Sequence, residues 1–261
     1  MEFASEAVRA IETQLPDETT TGVSELDPFF SRGLITRVHA TLTSGKEGTV
    51  YCCRAHPSTR RKFLAAKVYR EHAASAHKWS QTYFEGRERV LKEQVIRAIH
   101  ARTGFGREVA KSLWVSAEYE SLCRLHAAGA DTPEPLAAGE RVILMEYVGN
   151  GAGPAPHLRG LRPTKAEARE LYDQIMSNVG LMLRHHLVHG DLSPYNILVW
   201  KGRAWIIDLP QAVDARFNSA AFDLLKRDVT NVSRFFAQHG VGSDPNDVTR
   251  DLWERYQDAR L

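Results

Sequence analysis

Asp191, Asn196 and Asp208 are the residues of this chain whose types and spacing best suit joint chemistry. The first two lie in the run His189-Gly190-Asp191-Leu192-Ser193-Pro194-Tyr195-Asn196, and the third ends Ile206-Ile207-Asp208. An amide oxygen and a carboxylate oxygen are hard donors of the kind Mg²⁺ takes beside water and phosphate oxygens. A further carboxylate within reach of an attacking hydroxyl supplies the rest of what phosphoryl transfer needs, because positioning and charge neutralisation provide most of that catalysis. These residues therefore predict phosphoryl transfer. His189 with His185 and His186 superficially suggests a metal cluster. Apart from Asp191 no partner stands at zinc spacing, so His189 is expected to brace the loop.

Stepping outward, the apolar runs 197–199 and 204–207 flank Lys201-Gly202 and predict a hairpin that would bring Asn196 and Asp208 together at one end. Three β-rich runs, 35–42, 49–55 and 63–69, predict an antiparallel meander. The first two are joined by Thr43-Ser44-Gly45-Lys46-Glu47-Gly48-Thr49, which is neither a GxGxxG nor a Walker A pattern. Its glycines allow backbone N–H groups to approach a phosphate, with Ser44 and Lys46 adding polar contacts; a hairpin turn that needs glycine is the ordinary alternative. Lys67 interrupts the apolar strand Ala65-Ala66-Lys67-Val68-Tyr69 and must either find a partner or snorkel to water. Residues 73–129 read as helical, with Leu113, Tyr119, Leu122 and Leu125 spaced for a buried face and Gly129 as a stop. Glu118 on that helix is the candidate partner for Lys67, and Glu120 competes with it. A strand over 141–147 precedes a Gly/Pro-rich linker at 149–156, and helices are expected near 164–185 and 222–236.

The 261-residue length suffices for one large domain or two lobes, and a formal charge of +2 announces neither a nucleic acid nor a membrane. Three cysteines without paired spacing form no disulfide framework. No apolar run approaches the ~20 residues of a membrane span and no signal-peptide pattern opens the sequence. The expectation is a soluble cytoplasmic protein with an arm at 1–28, an N-lobe at 29–148 and a C-lobe at 149–261. The stretch from Arg87 to Lys111 carries seven basic residues, but interspersed glutamates favour a solvated helix or loop over a nucleic-acid surface.

With these residues assembled, the chain resembles the first subfamily of the RIO atypical protein kinases. The resemblance rests on Arg32-Gly33-Leu34-Ile35, Ser44-Gly45-Lys46-Glu47, Ala66-Lys67-Val68-Tyr69, Met145-Glu146-Tyr147-Val148-Gly149, Gly153-Pro154-Ala155-Pro156, the 189–196 loop, Ile207-Asp208-Leu209-Pro210-Gln211 and the run 226–236. It implies an α+β, two-lobed kinase-like fold: an N-lobe antiparallel sheet with a helix, and a smaller, mainly helical C-lobe without activation segment or peptide-docking helices. It implies ATP with Mg²⁺, or Mn²⁺, as cofactors, and serine/threonine kinase or ATPase activity with autophosphorylation. Lys67 would bind phosphates and pair with Glu118, Asp191 would be catalytic, and Asn196 and Asp208 would hold the metal. A transient phosphoaspartate is implied at Asp208. Ser44, Lys46 and Ser193 would line the nucleotide, Glu146 and Val148 would form the adenine-reading hinge, and Met145 would back the pocket. The partners implied are an unidentified protein acceptor and, through archaeal and eukaryotic members, a small-ribosomal-subunit precursor. Gly48-Thr49 and Pro194 depart from the family pattern. A small-molecule phosphotransferase of the aminoglycoside or choline kinase type, and an ATP-sensing ribosome-assembly adaptor, stay open as alternatives.

Overall fold

The computed structural model describes residues 22–70, 93–101 and 103–261. Most of the expected 1–28 arm, the beginning of the 73–129 helical run and much of the basic stretch fall outside them. A short helix, α1 (Asp27–Ser31), leads into β1 (Ile35–Ser44), β2 (Gly48–Ala55) and β3 (Phe63–Tyr69). Helices α2 (Glu93–His100) and α3 (Gly104–Ala127) separate these from β4 (Pro135–Ala138) and β5 (Val142–Glu146). The five strands form one antiparallel sheet in the order β1-β2-β3-β5-β4. Sequence patterning placed β1, β2, β3 and β5 but missed β4, which has only four residues and contains a proline and two alanines.

Alternation along β3 divides its side chains between two environments. Leu64, Ala66 and Val68 pack with Leu26, Phe29, Val142 and Leu144 on one face of the sheet. Tyr69 and Ile143 join the other core, with Trp114, Val115, Leu122 and Leu125 of α3. Lys67 shares the parity of Tyr69 and so faces that helix rather than Leu26 and Phe29. Burial of Leu26 shows that packing begins before Phe29, the residue at which order was expected to start. The buried stripe of α3 also differs from expectation: Trp114 and Val115 are buried, whereas Leu113 and Tyr119 are only half-buried. Gly129 at φ +85° follows the end of α3 as expected of a left-handed stop.

The expected linker forms a small hairpin instead, β6 (Gly149–Asn150) with β7 (Gly153–Pro154). Helix α4 (Lys165–Arg184) opens on a capping box in which Thr164 and Glu167 satisfy each other's backbone N–H groups. Short β8 (Leu187–Val188) precedes the 189–196 loop, and β9 (Ile197–Trp200) pairs with β10 (Arg203–Ile206). Lys201 and Gly202 both have positive φ in the turn between them, the combination that favours a two-residue hairpin. β11 (Val213–Asp214) pairs with β8; helices α5 (Ala221–Ala237) and α6 (Pro245–Gln257) complete the helical half. Helix α6 was not anticipated; its mean hydropathy is low and only Thr249 and Leu252 are buried along it. Among the described residues no helix is long and apolar enough to cross a membrane.

Candidate active site

Lys67 does not snorkel to water. Its ammonium donates to both carboxylate oxygens of Glu118, at 2.8 and 3.1 Å, and also to Asp208. The Lys67 and Glu118 side chains are only 12% and 4% exposed, so the pair lies in a poorly solvated pocket where each charge depends on the other. Burial opposes the Lys67 charge, but Asp208 and Glu118 together raise its pKa. Burial also pushes Glu118 up to about 7, against the pull of Lys67. Glu118 further accepts from the Tyr69 hydroxyl and the Leu209 backbone N–H. Glu120, the competing candidate, is exposed. Trp114 stacks obliquely on Tyr69, with ring centroids 5.6 Å apart, and its indole N–H donates to the Pro210 carbonyl at 2.9 Å. One face of α3 thus holds both the strand lysine and the segment around Asp208.

Asp191 is exposed at the mouth of its loop, while the residues around it are fixed. Asn196 donates from Nδ2 to the Asp191 backbone carbonyl at 2.9 Å, and the Asn196 N–H donates to the Ser193 carbonyl at 2.9 Å. His189, 2% exposed, accepts the Asp191 N–H at Nδ1, 3.3 Å away. Its Nε2 lies 3.1 Å from the Ile207 carbonyl, which defines a neutral ring with the proton on Nε2. Burial lowers the His189 pKa in agreement. The bracing role expected of His189 is what the hydrogen bonds describe, and His186 turns instead to the Tyr256 hydroxyl at 2.9 Å. Among the described residues no group of three or more His, Cys, Asp or Glu side chains is arranged to hold a metal.

Asp228 of α5 was not assigned a role from sequence. Its two carboxylate oxygens accept the Gly190 and Leu192 N–H groups at 2.8 and 2.9 Å, and the side chain is 1% exposed. Arg227 donates to the Gly190 carbonyl and Asn231 to the Leu192 carbonyl. The available signal was an aspartate beside Val229 on the apolar stripe of Leu225, Val229 and Val232, where a charge must have a specific partner.

Closure of the hairpin sets Asn196 and Asp208 at its same end: the Ile207 N–H donates to the Asn196 carbonyl at 3.0 Å, one residue beyond the β9–β10 ladder. Asp208 has φ +69°, a left-handed conformation uncommon for a non-glycine residue. Burial would raise its carboxyl, but the charge and hydrogen bond of Lys67 hold it below the ordinary carboxylate range. Asp208 is consequently an anion. An ionised carboxylate and a side-chain amide at adjoining ends of one hairpin fit a small hard cation such as Mg²⁺, which retains sites for water and phosphate oxygens.

The phosphate-loop expectation meets a more occupied geometry. Ser44 Oγ lies 3.1 Å from Thr49 Oγ1 and accepts from Arg70 at 2.9 Å, so its hydroxyl braces the turn; Lys46 is exposed. Gly48 is required for packing, because a Cβ there would stand 2.3 Å from the Val68 carbonyl oxygen. At the expected hinge, Glu146 turns its carboxylate to Arg61 and the Glu134 N–H, while the Val148 carbonyl accepts from Ala155 at 2.9 Å. Met145 is half-buried against the larger core, and Ser193 is half-buried in the loop.

A five-stranded antiparallel sheet above a helical half, with a strand lysine, a helix glutamate and an anionic aspartate meeting between them, defines the protein-kinase-like class. The RIO domain family model matches residues 49–248, and the chain belongs to the RIO family. It is 33% identical over 190 residues to the RIO-type serine/threonine-protein kinase Rio1 of Thermoplasma acidophilum, covering 72% of this chain and 92% of that protein. It is 32% identical to the human serine/threonine-protein kinase RIO1, covering 98% of this chain but only 42% of the human one. The Rio2 kinase of Chaetomium thermophilum, solved as an ADP/Mg²⁺-phosphoaspartate complex, superposes with a TM-score of 0.61 at 19% identity over 95% of this chain and 74% of that one. That likeness establishes the kinase-like fold anticipated from sequence. The family match separates the chain from the aminoglycoside and choline kinase alternative.

Proposed function

We propose that this chain is an ATP- and Mg²⁺-dependent serine/threonine kinase and ATPase, with its lobes divided at residues 148/149. The observation that carries the proposal is the convergence of Lys67, Glu118 and Asp208 beside the loop bearing Asp191 and Asn196. Lys67, oriented by Glu118, binds nucleotide phosphate oxygens, with Ser44, Lys46 and Ser193 around them. The backbone at Glu146 and Val148 receives adenine against Met145. Asn196 and Asp208 would hold Mg²⁺, which would supply positive charge to offset that on the γ-phosphoryl group. Asp191 accepts a hydrogen bond from the incoming hydroxyl, of a protein side chain or of water, and so directs its oxygen at phosphorus. Because the Chaetomium neighbour is described as a phosphoaspartate complex, transfer to Asp208 followed by hydrolysis is the ATPase route we favour. A carboxylate oxygen forms the bond to phosphorus as the ADP oxygen leaves, and water then releases phosphate.

The test is turnover of γ-labelled ATP by wild type and Asp191→Ala. Wild type is expected to release phosphate or acquire label, and the variant to fall by at least about a hundredfold. Label that hydroxylamine removes identifies the acyl phosphate; resistant label identifies a hydroxyl acceptor. Nucleotide binding without turnover, with the variant indistinguishable from wild type, would replace the enzyme with an ATP-sensing adaptor.

A further inference from the structure

Asp131 lies between α3 and β4, outside every residue with an assigned role, yet it ties three elements together. Its Oδ2 accepts from Gln174 at 2.7 Å and from Asn178 at 2.8 Å, both on α4. Arg203 of β10 donates to Oδ1. The backbone joins in: the Asp131 N–H donates to Asn178 Oδ1 at 2.8 Å, and the Asp131 carbonyl accepts the Ile206 N–H at 2.8 Å. Gln174 closes the circuit, its Oε1 accepting the Ala204 N–H at 2.9 Å. The Asp131 side chain is 11% exposed, so these bonds operate with little competition from water. Burial opposes its charge, but the Asn178, Gln174 and Arg203 donors outweigh burial and lower its pKa.

The position of this knot gives it a consequence. Asp131 follows the end of α3, the helix that carries Glu118, by four residues. Ile206 precedes Asp208 by two, and Arg203, Ala204 and Ile206 belong to the hairpin that brings Asn196 and Asp208 together. The helix that orients Lys67 and the hairpin that presents the metal ligands are thereby fixed to the same point on α4. We propose that Asp131 is a positioning residue that sets the metal-ligand hairpin against the Lys67–Glu118 pair, so that losing it weakens Mg²⁺-dependent nucleotide binding at a site it does not touch.

The proposal rests on the kinase reading of the site, and the experiment separates the two. Asp131→Asn retains the shape but leaves one acceptor oxygen where there were two, setting an amide N–H₂ against either the Gln174 and Asn178 amides or the Arg203 guanidinium. Asp131→Asn/Gln174→Glu exchanges carboxylate and amide across the 2.7 Å bond, conserving net charge. Calorimetric binding of ADP is measured across a Mg²⁺ titration, and hydrogen exchange at Ile206 and Ile207 is followed in nucleotide-free protein. For the single variant, the Mg²⁺ concentration at half-effect is expected to rise about tenfold, at the low end of effects seen when residues behind a metal ligand are changed. Exchange at both amides accelerates, and the double variant recovers part of each change, because the Asn178 amide still points at the same position. A single variant that melts earlier but retains wild-type Mg²⁺ dependence overturns the positioning role, as does a folded double variant that recovers nothing. A wild type that binds no magnesium nucleotide overturns this inference together with the functional reading beneath it.

Discussion

Lys67 retains its charge in a nearly closed pocket because Glu118 and Asp208 both meet it there, and the same meeting leaves two carboxylates competing for one ammonium. Breaking such a group by deleting one member strands a buried charge, a more serious loss than the same change at the surface. Asp228 presents a related case without a cation at its centre: burial pushes its carboxyl up to about 7 from an ordinary 3.8, despite its two backbone donors. Between those values the folded chain retains a proton that the unfolded chain has released. This group therefore costs stability as pH rises from about 4 to about 7. Asp228→Asn removes the titration, so its urea midpoints at about pH 5 and about pH 7 are expected to lie closer together than those of wild type. An unchanged spacing would assign the pH response to another group.

At the scale of the elements, the β1–β2 turn and the β9–β10 hairpin illustrate two uses of glycine. Gly202 supplies a positive φ in a turn between short strands. Gly48 serves a close approach instead, since the β3 backbone occupies the volume of its missing Cβ. Gly48→Ala is expected to cost about 1–3 kcal/mol by forcing β2 and β3 apart, read as a lower denaturant midpoint with an unchanged slope. A neutral result would show that the ladder shifts freely there. Helix α5 adds a different lesson: its apolar stripe was visible in sequence, but which side of the loop its Asp228 would hold depended on packing.

The whole molecule is joined at its centre by α3, which packs on the sheet yet reaches residues 209 and 210 beyond the hairpin. Trp114→Phe retains the aromatic packing and deletes the bond to Pro210, leaving a buried carbonyl unpaired. A loss of about 1–3 kcal/mol is expected in unfolding free energy, and no loss would indicate that the segment finds another donor. By itself the sequence determined the meander, the hairpin, the helix carrying Glu118 and the loop carrying Asp191 and Asn196, because strand alternation, helical spacing and turn glycines are local signals. It also singled out Lys67, since a cation in an apolar strand demands a partner. Tertiary structure alone decided that Lys67 serves Glu118 and Asp208 together, that Ser44 braces its own turn, and that Asp131 fastens the β9–β10 hairpin and Asp228 the 189–196 loop from behind. Those outcomes depend on which distant backbone groups and charges meet after water has been excluded, and such meetings leave no periodic trace along the chain.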